Sequence, residues 1–159
     1  MTAGKVWPDH VRVGRVTQPS SSDREKSFER SYASLDAIFT FLREFLAQER
    51  IDMGLFPVMG MAVEEIFTNM VKYAPGKTGP VSIRLGHASG ELAISLTDID
   101  ADRFDITQLP EVDVTRPLEE RRPGGLGIHL VRKMMDRVEY EYVDGRSTIT
   151  VYKQLNPVR

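Results

Sequence analysis

The order of the periodic stretches constrains this chain most. Helical and strand signals come in blocks, not in a regular βαβ alternation. Leu35, Ile38, Phe39, Leu42, Phe45 and Leu46 recur at the i, i+3, i+4, i+7 spacing of an amphipathic helix. Ser34 is the expected N-cap, and Asp36 lies in the first turn, where the helix dipole favours an acid. Asp52 to Phe56 reads as a connector. Pro57 then suits the first turn of a second helix, which runs to about Ala74 and stops at the breaker pair Pro75-Gly76. Val81 to Leu85 and Glu91 to Leu96 alternate around His87 to Gly90 and predict a hairpin. Ile128, Val131, Met134 and Met135 give a third helix after Gly127. Val138 to Tyr142 and Thr148 to Tyr152 alternate around Asp144-Gly145, a hairpin turn signal. Ser27 to Arg30 reads as a short leading strand. Such blocks predict an α+β, two-layer α/β sandwich: one mixed, mostly antiparallel sheet covered on one face by about three helices.

Composition narrows the classes of function. With 159 residues, 41% of them hydrophobic, the chain can bury the core of one domain. We place a peripheral tail or accessory strand at residues 1–24, where Val11, Val13 and Val16 form a β-like stretch, and one domain at 25–159. The absence of cysteine excludes disulfides, thiolate chemistry and Cys-based zinc sites. The net charge of −2 argues against direct nucleic-acid binding through bulk positive charge. No apolar run approaches the ~18–20 residues of a membrane span, and Met1 to Pro19 lacks a signal-peptide core. A cytoplasmic protein with no membrane association is the expectation.

Three constellations carry chemistry. Glu65 and Asn69 stand four apart on the second helix, hence on one face, with Lys72 and Tyr73 near the same stripe. A neutral amide oxygen suits Mg²⁺, which takes few protein ligands besides water and phosphate. A carboxylate one turn back can accept a proton from an incoming hydroxyl. Asp98 follows the strand Glu91 to Leu96, where a carboxylate can accept a hydrogen bond from the exocyclic amine of adenine but not from the carbonyl of guanine. Arg121-Arg122-Pro123-Gly124-Gly125-Leu126-Gly127 is a glycine-rich turn running into the third helix. Its free N–H groups and the helix dipole make an anion site. Each pattern alone also fits a plain structural role: a solvated helix face, a strand-end turn, a helix entry.

Other patterns fail. Gly76-Lys77-Thr78 imitates the end of a P-loop, but the glycine required five positions earlier is Val71. His10, His87 and His129 have no metal-ligand spacing, and no Gly-x-Ser-x-Gly elbow occurs.

The order Glu-x-x-x-Asn, strand-end Asp, Gly-Gly-x-Gly resembles the ATP-binding domain of the GHKL superfamily. The stretches VEEIFTNMVKYA, GELAISLTD, FDIT and PGGLGIHLVRKMMDRVEYEYVDGRSTITVYKQL resemble, more narrowly, the stand-alone bacterial anti-sigma-factor serine/threonine kinases, over about residues 25–155. The resemblance implies the histidine-kinase-like (Bergerat) ATPase fold, with ATP and Mg²⁺ as ligands. It implies Asn69 as metal ligand and Glu65 as the base that takes the substrate hydroxyl proton. It also implies Lys72 and Tyr73 along the nucleotide, Asp98 as the adenine-reading acid, and Gly124, Gly125, Leu126 and Gly127 closing over the phosphates. Arg121 or Arg122 reaches a phosphate on position and charge alone. The implied partners are an anti-anti-sigma factor of the STAS type as protein substrate, a sigma factor, and a second copy in a homodimer. One departure stands out. The family has Asp-x-Gly where this chain has Asp98-Ile99-Asp100, so Asp100 is a rival for the adenine role. That change also motivates an alternative: a non-catalytic, ATP-sensing regulatory module of the same fold.

Overall fold

The computed structural model describes residues 11–13, 22–72, 79–98 and 125–155. Within them, β1 (Val11–Val13) and β2 (Arg24–Phe28) precede α1 (Leu35–Gln48) and α2 (Phe56–Lys72). The hairpin β3 (Val81–Ala88) and β4 (Glu91–Asp98) follows, then α3 (Gly125–Met134) and the hairpin β5 (Arg137–Val143) and β6 (Arg146–Gln154). The six strands form one sheet in the order β1-β5-β6-β4-β3-β2. All pairings are antiparallel except β1 with β5, where Val11 lies opposite Val138 in parallel. The expected mixed, mostly antiparallel sheet with three helices is what forms. The crossover that matters is β4 beside β6: the chain leaves β4 at Asp98, and α3 and β5 intervene before it returns to pair Asp98 with Ser147.

Strand alternation separates the two faces. Leu92, Ile94 and Leu96 of β4 point under the helices and are fully buried, with Ile83, Leu85, Ile149 and Val151 beside them. Ser95 and Thr97 point the other way and bond to Thr150 (2.8 Å) and Thr148 (2.9 Å), so the second face is polar. The α1 stripe Ile38, Leu42, Phe45 and Leu46 is buried in the core, with Leu35 packed at its margin. From α2, Met59, Ala62, Val63, Ile66 and Phe67 are essentially inaccessible. Burial of each of the larger of these side chains contributes about 1.5–3 kcal/mol, which outweighs the helix propensity of either segment.

Four boundaries differ from expectation, each for a local reason. The leading strand spans Arg24–Phe28, not Ser27 to Arg30, because the chain leaves the sheet after Phe28. Ser34 occupies the N-cap position of α1, as expected, but its side chain makes no capping hydrogen bond. A 3₁₀ turn, Tyr32–Ser34, runs directly into the helix, so Ser34 is already helical and its hydroxyl donates to the Glu29 carbonyl at 2.7 Å; Ser31 caps the 3₁₀ turn instead. The β3–β4 connection tightens to Ser89-Gly90, both with positive φ, as are Asp144 and Gly145 in the second hairpin. Two-residue turns of this hand match the strand twist. Finally, α3 begins at Gly125, three residues before Ile128, the expected start.

Candidate functional site

Helix α2 is the platform of the site. It packs against α1, α3 and β4, so most of its circumference is covered. Asn69 is buried at 4% exposure, an unusual place for a carboxamide. Its Nδ2 donates to Glu65 Oε1 across 3.4 Å, the i, i+4 relation that the sequence spacing requires. With Nδ2 turned to Glu65, the amide oxygen Oδ1 is left as the donor atom for a hard cation. A neutral amide oxygen is chemically suited to Mg²⁺, which takes one or two protein ligands besides water and phosphate oxygens. Among the described residues no group of three or more His, Cys, Asp or Glu could hold a metal ion.

Glu65 is half-buried, and burial pushes its carboxyl above the ordinary carboxylate range. The Asn69 hydrogen bond and the positive charge of Lys72 pull the other way, and the neighbouring Glu64 adds to the rise. A raised carboxylate is a stronger base, the property wanted of a group that must take a proton from an alcohol. Lys72 occupies the last turn of α2, exposed, where a cation complements the helix dipole.

Asp98 closes β4 and is buried. Its carboxylate is held by Arg30, a residue that the sequence analysis placed only in a strand. Nη1 donates to Oδ2 at 3.1 Å, and Nη2 donates to Oδ1. The same guanidinium donates to the Met70 carbonyl and the Gly79 carbonyl, each at 3.1 Å. One side chain therefore ties the residue after Asn69 to the carboxylate of Asp98. Two of the three sequence constellations are brought together through it. Nothing in local spacing pointed to Arg30, because its acidic partner is 68 positions away.

The third constellation is met in part. Gly125, Leu126 and Gly127 make the first turn of α3, so their N–H groups are those that lack intrahelical partners, and α3 packs on α2. Tyr73, Asp100, Arg121, Arg122 and Gly124 lie outside the described residues.

With this geometry in view, comparison with known proteins settles the class. The histidine kinase-like ATPase domain family matches residues 28–153, and the chain belongs to that family. Among curated proteins, it is 26% identical over 124 residues to the serine/threonine-protein kinase BtrW of Bordetella bronchiseptica, covering 77% of this chain and 86% of that protein. It is 34% identical over 105 residues to the serine-protein kinase RsbW of Bacillus licheniformis, covering 62% of this chain and 64% of that protein, a little under two thirds. The RsbW of Bacillus subtilis matches at 33% over the same shares. Among solved structures, the RsbU and RsbW domains of Rv1364c from Mycobacterium tuberculosis superpose with a TM-score of 0.59 at 17% identity, covering 91% of this chain and 35% of that one. The SiaB–SiaC complex from Pseudomonas aeruginosa gives 0.58 at 14% identity, covering 82% and 88%. These two likenesses support the fold alone. No helix among the described residues is long and apolar enough to cross a membrane.

Proposed function

We propose that this chain is an ATP-dependent serine/threonine protein kinase and anti-sigma factor. It phosphorylates an anti-anti-sigma partner of the STAS type and sequesters a sigma factor. The observation that carries the reading is the Glu65–Asn69 pair: a carboxylate with a raised proton affinity, one helical turn from a buried carboxamide. It sits in a chain of the histidine kinase-like ATPase family whose relatives are named serine- and serine/threonine-protein kinases.

In this reading Asn69 Oδ1 holds Mg²⁺, which when bound neutralises charge on the phosphates. The first turn of α3, from Gly125 through Leu126 to Gly127, offers N–H groups to phosphate oxygens, with Gly124 and Arg122 preceding it. Lys72 and Tyr73 flank the nucleotide, and Asp98, with Asp100 as its rival, accepts a hydrogen bond from the adenine amine. Glu65 accepts the proton of the partner's serine or threonine hydroxyl as its oxygen bonds to the γ-phosphorus and the bond to the ADP oxygen breaks. The product carries about −1.5 to −2 new charges, enough to drive apart an interface formed with the neutral hydroxyl. Residues 1–24 are an accessory segment to a kinase domain at 25–159, acting in the cytoplasm, as a monomer or a homodimer.

The test is phosphoryl transfer from labelled ATP to purified candidate anti-anti-sigma proteins, run beside ATP binding. Transfer that is lost in Glu65→Gln supports the kinase. Tight ATP binding with no transfer to any partner favours the regulatory module instead.

A further inference from the structure

The sheet face turned away from the helices carries a cavity of about 240 Å³. Strand register explains it. Gly86, Ala93, Tyr152 and Arg137 lie side by side in one row across β3, β4, β6 and β5. The first two have almost no side chain, so the row dips there. Beyond them the Arg137 guanidinium lies over the Tyr152 ring, 3.7 Å from its centre, and builds one wall. On the β2 side the wall is Asp23, whose carboxylate lies over Gly86. A methyl group at Gly86 would run into Asp23 Oδ1, so the glycine is what lets the acid approach the strand.

The two ends of this trough differ in sign. At one end stand Arg84 and, opposite it on β4, Ser95. Arg84 is half-buried, and no hydrogen bond or ion pair engages it among the described residues. The acid facing it on β2, Glu25, is turned to Ser82 instead, whose hydroxyl donates to Glu25 Oε1 at 2.6 Å. Ser95 is buried, with its hydroxyl 2.8 Å from that of Thr150. A hydroxyl can accept such a bond and still donate its own hydrogen. At the other end Glu91 accepts from Arg137 at 3.0 Å and from Gln154 at 3.1 Å, one bond on each oxygen. A carboxylate has about four lone-pair sites, so acceptor capacity remains.

We propose that the trough binds a small amino acid as its zwitterion, the carboxylate on Arg84 and Ser95 and the ammonium on Glu91. A simple anion would meet the charges of Glu91 and Asp23, and a simple amine would leave Arg84 without a counter-charge in a half-buried place. A molecule with one group of each sign answers both ends. The cavity is smaller than the roughly 300–1,000 Å³ of sites for drug-sized ligands, which limits the occupant to a small one. The floor at Gly86 and Ala93 accepts a short side chain or methylene link. The site lies on the opposite face of the sheet from Glu65 and Asn69, so it does not rest on the kinase reading.

The probes are glycine, L-alanine, L-serine, β-alanine and γ-aminobutyrate, with propionate and propylamine as single-charge controls. Melting curves and calorimetry are run on the full chain without nucleotide. At least one amino acid is expected to raise the melting temperature with concentration in the millimolar range, and neither control to do so. Arg84→Gln exchanges a charged donor for a neutral one and is expected to weaken that binding about tenfold or more. Ala93→Leu fills the trough and is expected to abolish it. A cooperative melting transition reports that each variant folds. Amide shifts of the wild type give a reading that needs no variant: Gly86, Ala93 and Ser95 should move on titration, and Asn69 should not. The proposal is overturned if no amino acid of the panel binds, if either control binds as well as the best of them, if the shifts map elsewhere, or if binding survives both substitutions unchanged.

Discussion

Asn69 donates to Glu65 from one helical turn away, and the contact holds the carboxamide and the carboxylate together on one face of α2. The amide nitrogen is turned toward the carboxylate, so in the function proposed above the amide oxygen is the atom that meets the cation. The carboxylate, half-buried, binds its proton more tightly than an exposed acid would.

Replacing Glu65 by Gln should keep the hydrogen bond from Asn69 and remove the base. General-base removal costs about 10²–10⁴-fold in rate. The expected outcome is a loss of that size in phosphoryl transfer, with ATP affinity changed by less than about threefold, since Glu65 is assigned to the hydroxyl and not to the nucleotide. Single-turnover transfer and calorimetry on the same preparation read both.

Glu65 also makes a definite pH prediction. Its folded value lies above the ordinary 4.5, so the native state binds the proton more tightly than the unfolded chain. Its contribution is therefore fully present below 4.5 and is lost as pH rises through the folded value. Melting temperatures of Glu65→Gln relative to wild type should rise as pH is raised across that window and level off above it. A difference that stays constant with pH removes this account of the burial. The transfer rate should rise over the same window in the wild type, because the base must be unprotonated.

Asn69→Ala should cost little in fold and much in metal-dependent nucleotide binding. In the wild type, chelating divalent cations with EDTA is expected to weaken ATP binding; in the variant, EDTA should make little further difference. If Asn69→Ala retains the full Mg²⁺ dependence, the metal is held elsewhere.

Arg50 offers a stability gain away from the site. It follows α1 with φ of 55°, while Ile51 N–H bonds to the Leu46 carbonyl at 2.8 Å and Arg50 N–H to the Ala47 carbonyl at 3.2 Å. That is a Schellman ending with an arginine where glycine is preferred. Arg50→Gly relieves a left-handed conformation and should stabilise by up to about 1 kcal/mol, raising the melting temperature by a few degrees. Phosphoryl transfer should be unaffected.

Local spacing carried most of the platform. The stripe Ile38, Leu42, Phe45, Leu46 and the pair Glu65, Asn69 depend on the 3.6-residue period alone, and each lies where that period puts it. The Asp144-Gly145 turn was legible because two consecutive positive φ values demand such residues. Ser34 misled only as to its hydrogen bond, since a capping serine and a serine inside a 3₁₀ lead-in look alike until the preceding turn is known. Of the glycine-rich turn, only the helix entry at Gly125 can be compared, and it starts earlier than the apolar pattern suggests because glycines carry no periodic signal.

Periodicity and turn chemistry by themselves determined that this chain makes helices and hairpins in this order, and that a carboxylate and a carboxamide share a face of α2. Both are short-range properties, settled within a turn or two of chain. Only the tertiary structure decided that Asp98 lies against the end of that helix and that Arg30 holds it. The contact joins positions far apart in sequence, and it exists because β4 is sandwiched between β3 and β6 beneath α2, where a buried charge must find a partner.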